Sequence, residues 1–115
     1  MSGNVCSVTG YDPVANPGQQ IHFLKCWPEY FQAVRDEEKT FEIRKDDRGF
    51  KVGDLIVLRE FDPSIPGKEI KKFTGRQEHV LIRYILPEFT GIAPGYVAMA
   101  IDRISPDNER EAAHD

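Results

Sequence analysis

Apolar and polar residues alternate along Phe41-Glu42-Ile43-Arg44, and this period of two predicts a strand over Lys39 to Arg44. Phe41 and Ile43 fall on one face, which is expected to build the core, while Thr40, Glu42 and Arg44 fall on the other. A second alternation predicts a strand over Ile21 to Cys26, with Ile21 and Phe23 opposite His22, Leu24 and Cys26. Between the two, the period changes to that of a helix. Trp27, Tyr30, Phe31 and Val34 recur at i, i+3, i+4 and i+7, and Pro28 stands where a first helical residue is favoured. This helix is expected to stop near Glu37. The unbroken apolar run Leu55-Ile56-Val57-Leu58, opened by a Gly53-Asp54 turn, predicts a strand covered on both faces.

Further on, Lys68 to Phe73 and Glu78 to Leu86 read as strands flanking Thr74-Gly75-Arg76, a hairpin or a bulge. Pro87 to Gly95 reads as a loop and Tyr96 to Ile101 as the last strand. One early helix and about five or six short strands imply an α+β, mostly β, small barrel with one or two covering helices. The expected organisation is a flexible arm over 1–20, one domain over 21–104 and an acidic tail over 105–115.

Length and composition narrow the function classes. The chain has 115 residues, enough for one core, and no apolar run near the roughly 18 residues of a membrane helix. With no signal-peptide pattern, a cytoplasmic protein with no membrane association is expected. The net charge of −4 comes from the ends: between Lys25 and Arg103, 14 basic residues balance 14 acidic ones. A neutral body argues against strong non-specific duplex binding but leaves room for a local basic groove. Cys6 and Cys26 have no metal-ligand spacing and read as free thiols. Asp46-Asp47 and Asp36-Glu37-Glu38 read as solvated turns, so neither metal nor cofactor is expected.

Two constellations carry candidate chemistry. In the first, Arg44 is a planar clamp for an anion or base, Glu42 an acceptor for an amino group, and Lys39 a cation or base. Strict alternation puts Lys39 on the face of Phe41, and it joins the others only if the strand starts later. The plain alternative is an exposed Glu42–Arg44 ion pair of little energetic consequence. The second is a basic run, Lys68, Lys71, Lys72, Arg76 and Arg83, interleaved with Phe73 and Tyr84. Basic residues beside aromatics suit single-stranded nucleic acid, although lysines guarding an edge strand give the same pattern.

A series of short motifs resembles a phage and bacterial domain family of unknown function in the ASCH branch of the PUA-like superfamily. The motifs are Leu24-Lys25, Pro28-Glu29-Tyr30-Phe31, Lys39-Thr40-Phe41-Glu42-Ile43-Arg44, Asp47-Arg48, Val52-Gly53-Asp54, Arg59-Glu60-Phe61-Asp62, Thr74-Gly75-Arg76 and Gly95-Tyr96-Val97. The resemblance implies a PUA-like pseudo-barrel that binds RNA or a modified nucleotide in a cleft. It singles out Lys39, Glu42 and Arg44; Arg48 and Arg76 are expected as further contacts to the ligand. The signature Gly-x-Lys-x-x-Glu-x-Arg has its glycine at Glu37 here, so the loop approaching Lys39 is expected to differ. Some ASCH members are amidohydrolases of acetylated cytidine with a Lys-Thr-x-Thr-x-Arg block. An enzymatic alternative, such a hydrolase or a ribonuclease, would use Lys39, Thr40 and Glu42. Glu42 replaces the second threonine of that block, and Glu88 is the trial match for the acidic partner.

Overall fold

The computed structural model describes residues 18–87 and 91–104. The expected tail, most of the expected arm, and Glu88 lie outside the described residues. Residues 18–20, placed at the end of the arm by sequence, are tied to the domain. Gln19 donates to the Gly53 carbonyl at 2.8 Å and the Gln20 amide to the Asp54 carboxylate at 3.1 Å. They lead into β1 (Ile21–Cys26), which buries His22, Leu24 and Cys26 and exposes Ile21 and Phe23.

Helix α1 (Pro28–Arg35) follows, with proline at its start where a missing N–H has no consequence. It buries Phe31 and Val34 against the sheet, whereas Trp27 and Tyr30 are about half exposed. Its end is a left-handed cap. Glu37 has φ 60°, its amide bonds the Val34 carbonyl, and the Glu38 amide bonds the Ala33 carbonyl. The position where the resembled signature has glycine thus adopts the left-handed conformation with a glutamate in place.

Strand β2 (Phe41–Lys45) starts after Thr40, two residues later than its alternation suggests. Strand β3 (Leu55–Phe61) buries all four residues of its apolar run. The expected strand at Lys68 is a 3₁₀ turn (Glu69–Lys72), because Lys72 donates its ammonium to the Pro63 and Ile65 carbonyls and folds the loop on itself. Strand β4 (Phe73–Leu86) then runs through Thr74-Gly75-Arg76 without a hairpin. These residues form a bulge: Arg59 pairs with Gln77 and Phe61 with Phe73, so β4 carries extra residues there, and Gly75 takes φ 96°. Strand β5 (Tyr96–Ile104) is the last element among the described residues.

The sheet order is β1-β3-β4-β5-β2, with β1 and β3 parallel and the other pairs antiparallel. The sheet curls into a half-barrel whose interior holds Leu24, Ile56, Leu58, Val80, Ile82, Val97, Met99 and Ile101, covered by Phe31 and Val34. This is the α+β pseudo-barrel architecture, with five strands and one α-helix among the described residues. One assignment is reversed. Glu42 is 3% exposed and faces inward, whereas Phe41 and Ile43 are about half exposed on the outer face, in register with Ala100 and Ala98. Alternation separates two faces, but which one is inner depends on what the interior contains at that strand, here cationic partners for Glu42.

The two end strands face one another across a seam, and side chains bridge it. Arg44 of β2 donates to the Lys25 carbonyl of β1 at 2.8 Å, and Arg48 to the Phe23 carbonyl at 3.3 Å. Phe23 and Lys25 are two residues apart, so both carbonyls point to the same side of β1.

Glu37→Gly is expected to stabilise the domain by about 0.5–1 kcal/mol, since glycine adopts a left-handed cap without a Cβ clash. The lost contact to Arg103, 3.4 Å long and mostly exposed, offsets little of this. A urea midpoint at or below that of the parent protein would contradict it.

Candidate functional site

A cleft of about 600 Å³ opens beside the seam, between the β1–α1 junction and β2. This volume suits a mononucleotide-sized ligand. Its walls are Trp27, Tyr30, Phe41 and Ile43, and its floor holds Lys39, Glu42, Arg44 and Cys26. The walls are about half exposed; the floor side chains are deeper, at 18% for Lys39, 28% for Arg44 and 4% for Glu42.

Each floor residue has a local reason for its place. The strand parity that turns Phe41 outward sends Glu42 into the barrel. A buried carboxylate needs cations and hydrogen bonds, and it has both: Lys39 donates to Oε2 and the Arg44 Nε to Oε1 at 2.9 Å. Lys39 precedes β2, so strand parity does not constrain it, and its ammonium also reaches the Phe41 carbonyl at 2.7 Å. Arg44 divides its fork between Glu42 and the Lys25 carbonyl. The three residues named together by sequence thus converge.

Cys26 sits beneath this group as a neutral thiol. Burial, reinforced by the nearby Glu42 carboxylate, pushes its pKa up to about 11. A thiol so held is no nucleophile near neutral pH.

The remaining predicted residues lie elsewhere. Thr40 is exposed and lines a second depression of about 340 Å³ with Glu37, Asp102 and Arg103; Lys39 stands on the ridge between the two. Arg48 braces β1 and pairs with Asp47, whose carboxyl it holds below the usual range through a hydrogen bond. Arg76 ties β4 to α1: it donates to Gln32 at 2.9 Å and lies over the Phe31 ring, outside the cleft lining. The basic run is dispersed as well. Lys72 is bound to its own loop and Arg83 pairs with Asp102 at 2.9 Å.

Sequence reasoning missed the aromatic walls. The helical spacing assigned Trp27 and Tyr30 to a buried stripe, but Trp27 precedes Pro28 and caps the helix rather than joining it. A tryptophan at a cap position, outside the helical turns that pack on the sheet, was the available signal.

Residues 21–101 match the model of a family described as a domain of unknown function (DUF3850). The chain is also 34% identical over 58 residues to an uncharacterized 12.9 kDa protein in the GpA 3′ region of Escherichia phage P2. That match takes in 50% of this chain and 47% of the phage protein, so the chain spans about half the length of this relative. No helix among the described residues is long and apolar enough to cross a membrane.

Arg44→Ala is expected to lower stability by about 1–3 kcal/mol, because it leaves a buried carboxylate with one cation and removes a bond across the seam. An unchanged urea midpoint would show that the bridge contributes nothing. Cys26 in the native protein is expected to react with iodoacetamide about a hundredfold more slowly than an unperturbed thiol at pH 8, as its raised pKa leaves little thiolate. Peptide mapping after timed alkylation measures this, and a rate equal to that of the unfolded chain would contradict it.

Proposed function

The chain belongs to the DUF3850 family, and from the geometry of its own cleft we propose that it binds RNA or a modified nucleotide, seating a base between aromatic walls above a cationic floor. The observation that carries the reading is the pairing of Trp27, Tyr30 and Phe41 with Lys39 and Arg44 in a single cleft. Aromatic faces stack on bases, and guanidinium and ammonium groups meet base acceptors or phosphates. Glu42, held by both cations, orients the floor. The resemblance to ASCH-type, PUA-like domains points the same way, since it implies a ligand cleft at these residues.

The hydrolase alternative has less support. Thr40 lines the neighbouring depression, Glu42 is engaged by two cations, and Cys26 is protonated, so Lys39 is the one remaining catalytic group of that reading in the cleft.

Trp27 is the single tryptophan of the chain, so its fluorescence reports on the cleft directly. Single-stranded RNA and nucleotides are expected to quench it in a saturable manner. Trp27→Ala is expected to weaken binding of labelled RNA about 10- to 100-fold, in line with about 1–3 kcal/mol per stacked base, while the melting temperature holds. Arg44→Ala is the poorer test because Arg44 also supports the fold. Equal affinity of the Trp27 variant and the parent protein would overturn the proposal.

A further inference from the structure

The floor of the cleft is one-sided in its hydrogen bonding. Glu42 has the one acceptor side chain among the charged floor residues, and both its oxygens are occupied by Lys39 and Arg44. At 4% side-chain exposure it is out of reach of a ligand. What remains is donors. Lys39 uses one N–H on Glu42 and one on the Phe41 carbonyl, leaving a third. Arg44 uses its Nε–H on Glu42 and an Nη2–H on the Lys25 carbonyl, leaving the rest of its fork. Two cations around one carboxylate also leave the floor with a net positive charge.

Resting on the nucleotide-binding reading, we propose that the purine this cleft accepts is guanine rather than adenine. A base seated between Trp27, Tyr30 and Phe41 presents one edge to Lys39 and Arg44, since the walls are the shallower groups and the cations the deeper ones. The Hoogsteen edge of guanine carries two adjacent acceptors, O6 and N7, which match a guanidinium fork. Adenine offers N7 beside an N6 amino group, and that amino group would set a donor against the donors of Lys39 and Arg44. No free acceptor side chain on the floor is available to relieve it, because Glu42 is already engaged. Discrimination arises from the mismatch as much as from the match.

Titration calorimetry of the unmodified protein with GMP, AMP, IMP and 7-deaza-GMP tests this at single atoms. GMP is expected to bind about 10- to 100-fold more tightly than AMP. IMP, which keeps O6 and N7 and lacks only the 2-amino group, is expected to bind like GMP, and 7-deaza-GMP, which lacks the N7 acceptor, several-fold more weakly. Arg44→Lys, with its melting temperature checked, is expected to narrow the gap between GMP and AMP by removing the fork. If AMP binds as tightly as GMP, or if 7-deaza-GMP matches GMP, the guanine assignment fails while nucleotide binding stands. If none of the four binds and none quenches Trp27, both the assignment and the reading beneath it fail.

Discussion

A carboxylate shut inside a half-barrel fixes the arrangement of everything near it. Glu42 is 3% exposed, and taking a charge of that kind out of water is costly unless cations and donors replace the water. Lys39 and Arg44 meet that requirement from either side of it in sequence. Their positions then determine the rest: Lys39 holds the residues between the helix cap and β2, and Arg44 reaches β1. The cleft is the space left in front of this triad by the outward turn of Phe41 and the half-exposed start of α1.

The same solution recurs around the interior. Glu78 is held by Arg35 from the helix and by Arg103 at 2.7 Å from β5, a bond that raises the Arg103 pKa. Glu60 accepts from Thr74 at 2.6 Å, with Arg76 nearby. Asp54 is 1% exposed; it accepts from the Gln20 and Lys51 amides and contacts His22 at 2.8 Å. Unlike Glu42, whose partners are close in sequence, Glu78, Glu60 and Asp54 each join distant segments, so these polar contacts specify which elements meet, while the apolar cluster supplies the burial that drives folding.

The sequence made the strand and helix cores legible and left their orientation partly hidden. Ile21 to Cys26 was readable to the residue, because a period of two with a buried Leu24 and Cys26 leaves no ambiguity once Pro28 follows. The run at Leu55 correctly implied cover on both faces. Phe41 and Ile43 were placed inside because hydrophobic residues usually are; the actual interior partner of β2 is a pair of cations, one of which lies outside the strand and outside its periodicity. Lys39, Glu42 and Arg44 could be named from their motif, whereas the helical spacing of Tyr30 is indistinguishable from a core stripe and Trp27 is set apart from that stripe only by its place before Pro28. Arg48 and Arg76 show the converse limit. Their residue types suit ligand contact, and only the distances reveal that they brace β1 and α1.

The seam between β1 and β2 has a mechanical consequence. Barrels closed by a continuous backbone ladder resist opening because every rung must break together. Among the described residues, hydrogen bonds across this joint come from two guanidinium groups on long, jointed side chains, each gripping one carbonyl. Such a joint can lengthen by rotamer changes while every strand keeps its neighbours. The wall beside the cleft is therefore fastened by side chains rather than by a backbone ladder, and one of the two clasps, Arg44, is itself part of the cleft lining.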